Sequence, residues 1–429
     1  GSFFVNGNPN YTAGEESKFG EDGDKSIIKC GNYKGTGSTK NNIHVGWQPQ
    51  WILIKSTDNS EDWEIFDTMR GIATSGDDQR LSPNNSDAES NGNWIDATST
   101  GFSVIETNSV MNENNKNYLY IAIRFPDGYV GKPAEAGTEV FAMDVGNSSA
   151  TIPTIDTGFP VDFGFARPFA STNNWVTGSR LTGIKAVYTN ANDPQTDFSN
   201  QVWDSNVGFW KAIQNTWQAW AWKRGQGFDV VCYDGNGVAG NIISHSLGRG
   251  PEMIWVKKRS GTDSWQVYHF GCNSGTNPSH YRLRLNENVT EDDNQAFWND
   301  QAPTSSVFYL GGATEVNQSG QSYLTMLFAS VEGISKVGYF DGQSTAKTIT
   351  TGFQPRFLII KRANSGGGWY TWDTTRGWAA ATNNQWLNLD SDGSGGYTEN
   401  GEPTATGFII NSNSDYNGTG GKYIYYAHA

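Results

Sequence analysis

At 429 residues the chain is long enough for about three average domains and for a sizeable apolar core. Its 30 basic and 44 acidic side chains give a formal net charge of −14, which repels a phosphate backbone and excludes nucleic acid as an expected partner. No run approaches the roughly 18 consecutive apolar residues of a membrane span, so none is expected and the chain reads as soluble.

The 51 glycines, 17 tryptophans, 18 tyrosines and 22 phenylalanines stand beside only 17% charged residues. Aromatic side chains favour half-buried pleated surfaces and glycine serves the turns between them, so the composition predicts an all-β protein of many short strands. Three cysteines cannot all pair, which rules out a disulfide framework. Cys30, Cys232 and Cys272 read as small buried fillers, the first two on corresponding early strands.

Taken in chain order, a lead segment to about residue 22 precedes a repeated pattern. The first copy carries Gly46-Trp47-Gln48-Pro49 before the apolar run Trp51–Ile54, then Trp63 to Gly71, Gly101-Phe102 and Tyr118–Ala122. The last copy has the same landmarks in the same order: Gly352-Phe353-Gln354-Pro355, Phe357–Lys361, Trp369 to Gly377, Gly407-Phe408 and Tyr423–Ala427. Two divergent copies lie between. The glycines opening these segments, 46, 158, 248 and 352, are spaced 158 − 46 = 112, 248 − 158 = 90 and 352 − 248 = 104 residues apart. A period of this length defines modules at 23–137, 138–226, 227–333 and 334–429, the second the most divergent. Apolar runs of four to eight residues alternate with Gly, Asn, Asp and Ser clusters, and about seven strands per module predict tandem antiparallel β-sandwiches of immunoglobulin or lectin-like, jelly-roll size.

The strongest local motif is Trp-x-x-x-Asp-Thr-x-Arg-Gly, with Trp63, Asp67 and Arg70 in the first module and Trp369, Asp373 and Arg376 in the fourth. An Asp beside an Arg at a strand exit is read as a structural charge-assisted pair, not as a catalytic one. In the third module the place of the Asp falls near His269, and the second keeps only Trp175 and Arg180. Gly235-Asn236-Gly237-Val238-Ala239-Gly240 matches a dinucleotide fingerprint literally, but a strand-like segment follows where a helix is needed, so it reads as a hairpin turn. Asp390-Ser391-Asp392-Gly393 has the alternating oxygens of a calcium loop without the closing Glu, and a surface loop is the better reading. The five histidines are scattered without metal-ligand spacing. No metal, cofactor or catalytic residue is expected. Aromatics in polar loops, Trp298, Trp378, Trp386 and Tyr397, are the candidate ligand-binding residues, because flat rings stack on sugar faces and loops carry function.

The Gly-Phe-x-Pro and Asp-Thr-x-Arg-Gly elements, Gly420-Gly421-Lys422-Tyr423-Ile424-Tyr425 and the junction Trp220-Ala221-Trp222-Lys223-Arg224 resemble a repeat-containing family of structural proteins of tailed phages of marine bacteria and cyanobacteria. That family is usually placed among tail-fibre or tail-associated proteins, and the resemblance covers about residues 23–429. It implies a virion-surface protein, on tail or capsid exterior, that attaches to host surface polysaccharide by multivalent binding. Expected partners are other virion proteins and further copies of the chain, a trimer by analogy with fibres. Capsid decoration and polysaccharide depolymerisation are the alternative functions.

Overall fold

The computed structural model describes residues 25–74, 76, 78–379, 384–398 and 400–429. The expected lead segment lies outside the described residues. The described strands fall into four successive sets, each built as a large antiparallel sheet facing a small one, so the all-β, tandem-sandwich architecture is observed. In the fourth set the large sheet runs Ser335–Asp341, Lys422–His428, Phe357–Arg362, Trp369–Asp373, Asn384–Asn388, Gly396–Thr398 from edge to edge. First and last strands are therefore neighbours, and a module closes only when its final strand arrives. The second and third sets repeat this order, while the first has four strands: Ile28–Lys34, Asn117–Arg124, Pro49–Ser56 and Trp63–Asp67. Short edge and bridging strands bring each set to eight or nine, above the seven expected.

One backbone requirement recurs in all four modules. Gly46, Gly158, Gly248 and Gly352 have φ of 97°, 76°, 77° and 92°. Only glycine adopts that conformation without strain, which is why the same turn is glycine each time.

Pleating divides each central strand between two cores. In Phe357–Arg362, Leu358 and Ile360 face the module's own small sheet beside Phe408 and Tyr425. Phe357 and Ile359, with Ile424 and Tyr426, instead join a core shared between modules. The last strands of the second, third and fourth modules meet there: the Trp222 and Phe328 rings lie 6.4 Å apart, Phe328 and Tyr426 5.0 Å apart, and Trp222 Nε1 donates to the Tyr426 hydroxyl at 3.2 Å.

Around this shared core the three modules close a ring. Trp175 of the second module donates its indole N–H to the Asn388 carbonyl of the fourth, Trp369 of the fourth to the Arg284 carbonyl of the third, and Trp265 of the third to the Tyr188 carbonyl of the second, each at 2.8 Å. The sheet registers place these tryptophans, and these acceptors, at matching positions of their modules. Their exposures are 0%, 1% and 0%. Backbone bonds repeat the arrangement, with Gly367 N to Asn288 O and Asn173 N to Asp392 O at neighbouring seams.

The first module sits outside the ring. Its strand Ile95–Thr98 packs near Phe228–Asp234, Arg180 Nη1 donates to Thr68 O at 3.2 Å, and Arg259 Nη2 to Thr74 O at 2.8 Å.

Two expectations follow. Trp369→Phe deletes one ring donor and should cost about 1–3 kcal/mol; a urea midpoint equal to wild type contradicts a structural role for that bond. The second concerns acid. Burial pushes His269 and His428 down to about 3. Unfolded imidazoles protonate near pH 6.5 while the folded ones stay neutral, so this stabilisation is complete above about pH 6.5 and is lost as pH falls towards 3. The thermal midpoint should drop over that window, less steeply in His269→Gln/His428→Gln; identical slopes for variant and wild type contradict it.

Candidate functional site

One basic position recurs in all three ring modules, and in two of them its side chain crosses a seam. Register aligns Arg167, Lys257 and Lys361 on the third strands of their modules. Arg167 crosses its seam to the carbonyls of Ser391, Asp392 and Gly393 at 3.1, 3.1 and 2.8 Å. Lys257 crosses to Asn192 O at 3.0 Å. Lys361 instead donates within its own hairpin, to Gly367 O. The seam between the third and fourth modules, bonded elsewhere along its length, holds a polar cleft lined among others by Asn286, Asn288, Tyr370, Asn388, Asp390 and Asp415. Burial also pushes Lys257 and Lys361 down to about 8.

The cleft offers one aromatic wall and several hydrogen-bonding groups. Tyr370 donates its hydroxyl to Asp415 Oδ2 at 2.9 Å, and burial together with that carboxylate pushes the phenol well up, so it remains a donor. The ring is braced by Trp386 at 5.2 Å, Tyr416 at 5.5 Å and Trp372 at 5.9 Å. Asn388 Oδ1 is buried without a protein partner and is available to accept. Asp390 is different in kind. Burial pushes its carboxyl up, and Oδ1 accepts the Trp369 backbone N–H at 2.8 Å. Asn84, Asn190 and Asn286 accept from Trp63, Trp175 and Trp265 in the same way at 2.9, 3.0 and 2.9 Å. An amide does this work in three modules, so the Asp390 carboxylate is scaffold.

The expected ligand-binding aromatics separate. Trp298 and Trp378 are corrected: each is buried, the first against Tyr268 at 6.0 Å and the second against Phe408 at 6.3 Å, and neither has a face to offer. Long-range closure of each sandwich onto its own loops covers them. Trp386 is half-buried behind Tyr370, and Tyr397 is 63% exposed on the strand Gly396–Thr398. Tyr370 itself was not singled out by sequence, since it alternates with core residues in a strand and only the seam exposes it.

The motif pairs are found as structural features. Arg70 Nε meets Asp67 at 2.7 Å, and Arg376 Nε meets Asp373 at 2.6 Å. The second pair also contacts the second module: Trp220 Nε1 donates to Asp373 Oδ2 at 3.2 Å and the Arg376 guanidinium lies 5.2 Å from the Trp220 ring. His269 and Ser179 occupy the place of the Asp in the other two. Arg180 Nη1 donates to the Trp203 carbonyl at 2.7 Å. The calcium-like loop carries Arg167 on its carbonyls, and Gly235 to Gly240 leads into the strand Asn241–Ser244. Among the described residues, no group of three or more His, Cys, Asp or Glu is arranged to hold a metal. No described helix is long and apolar enough to cross a membrane. A separate cavity, bounded by Lys132, Arg224, Phe228 and His428, holds a buried charge already paired, Arg224 with Asp229 at 2.6 Å.

Fold and seams together define a tandem β-sandwich protein whose last three modules form a ring within one chain. The chain belongs to the family described as a domain of unknown function, DUF7483, whose model matches residues 25–125 and 215–429. The match takes in the first, third and fourth modules and the strand Trp217–Trp222, and passes over the rest of the divergent second. No curated protein matches the sequence.

Arg167→Met leaves the Ser391–Gly393 carbonyls without their charged donor and should cost about 2–4 kcal/mol. Hydrogen exchange should accelerate in residues 388–395, and unchanged exchange there contradicts the seam role assigned to Arg167.

Proposed function

We propose that the chain is a virion-surface protein of a tailed phage, a tail fibre or receptor-binding component that attaches to host cell-surface glycan without cleaving it. The observation that carries the binding half of this reading is the open cleft between the third and fourth modules. It combines an aromatic wall at Tyr370 with amides and a carboxylate that can exchange hydrogen bonds with sugar hydroxyls. The phage half rests on the repeated motifs and the family they resemble. Single-site sugar binding of this kind is weak, and several copies on one particle raise the effective affinity. Asp390 supports a non-catalytic reading, because three sister modules use asparagine in its place.

Binding of purified protein to susceptible and receptor-deficient host cells tests this, with released reducing sugar measured alongside. Tyr370→Ala should reduce binding at least tenfold, about 1.4 kcal/mol, at a temperature where circular dichroism shows the variant folded, since loss of the packed ring also lowers the thermal midpoint. Selective binding without sugar release is expected. Sugar release would favour a depolymerase, and absence of binding to either strain would favour capsid decoration.

A further inference from the structure

The first module has the ring-forming face of its sisters but, among the described residues, no neighbouring module on it. Register places Trp51 and Leu53 opposite Ile123 and Ile121, just as Phe357 and Ile359 stand opposite His428 and Tyr426 in the fourth module. In the second, third and fourth modules this face is shut inside the shared core. In the first it is open: Leu119 is 47% exposed, Trp63 is 38% exposed, and Cys30, Leu53 and Ile121 line the same shallow hollow. An apolar sheet face that no described residue covers, in one of four homologous modules, calls for an occupant.

The same module also carries both halves of the ring bond. Trp63 corresponds to Trp175, Trp265 and Trp369, its backbone N–H held by Asn84 as theirs are by Asn190, Asn286 and Asp390. The bridge between Ile65 and Leu81 sets Ser82 at the position of the acceptors Tyr188 and Asn388. Each of these carbonyls takes a turn N–H from three residues on, at 3.3 Å: Asn85 to Ser82, Ala191 to Tyr188 and Ser391 to Asn388. The two sister carbonyls use their second lone pair for a tryptophan of the next module. A donor and an acceptor at separate places on one surface make a heterologous contact, and the intrachain ring shows that this geometry closes at three.

We propose that the first module pairs with the first modules of two further copies of this chain, reproducing between chains the ring its sisters form within one. Trp63 of each copy donates to the Ser82 carbonyl of the next, and Leu119 and Ile121 meet at the centre as the last strands do in the intrachain ring. The named contacts that hold the first module to its own chain leave from Ile95–Thr98, from the loop around Thr68 and Thr74, from Lys40 and from residues 125–129, and none of them uses Trp63 or Leu119. The proposal is independent of the glycan reading, since it concerns self-association alone.

Sedimentation velocity over a concentration series of the full chain, combined with thiol labelling of Cys30, tests it. The expected result is a species of three chain masses in which Cys30 labels at least tenfold more slowly than in Leu119→Asp, which should sediment as one chain mass with an unchanged far-ultraviolet spectrum. Trp63→Ala, which adds no buried charge, provides a second variant and should also weaken the trimer. A wild-type protein that stays a monomer, that assembles as a dimer, or whose trimer survives both substitutions overturns the proposal.

Discussion

A buried indole N–H whose acceptor lies in the next module ties two modules together, and in this protein three tryptophans at equivalent positions each do so around a ring. Leaving any one unpaired costs the desolvation of the N–H as well as the bond. The bonds from Trp175, Trp265 and Trp369 therefore fix the relative placement of three sandwiches, and the shared aromatic core fills in behind them. Everything described here at the seams depends on that closure. Arg167 and Lys257 reach carbonyls across a seam because the ring brings those loops within 3.1 Å, whereas Lys361, at the seam that holds the Tyr370 cleft, stays within its own hairpin.

The arrangement also explains why both faces of a large sheet are apolar. A sheet with one solvated face alternates apolar and polar residues, whereas one covered on both faces reads as a nearly continuous run. Phe357–Lys361 and Met253–Val256 are such runs, and each strand divides its side chains between a private core and the common one. Trp51–Ile54 has the same character, although only its Ile52 and Ile54 side is buried.

Much of this was legible in the sequence. The repeat, its glycines and the all-β class came from periodicity and composition, and the four glycines at 46, 158, 248 and 352 share a left-handed turn. The Asp–Arg pairs were recognisable as structural. What local sequence did not separate was burial at matching positions. Trp63 and Trp369 sit in nearly the same motif, yet one is 38% exposed and the other 1%, because only the second has a neighbouring module on it. Cys30, expected to be a buried filler, is exposed for the same reason. Trp298 and Trp378 erred in the opposite direction: polar flanking residues made them look like loop rings, while tertiary closure places them in private cores. The Asp390 loop resembled a cation site and does receive a cation, the guanidinium of Arg167 from another module.

The central claim is that residues 138–429 form one closed ring and not three independent beads. Native-state hydrogen exchange as a function of urea tests it most directly, by giving an opening free energy for each central strand. The account predicts that Phe163–Pro168, Met253–Lys258 and Phe357–Arg362 open together, with one shared free energy and one shared dependence on urea. Three separate opening free energies, with one module exchanging through to completion while the other two stay protected, would contradict it.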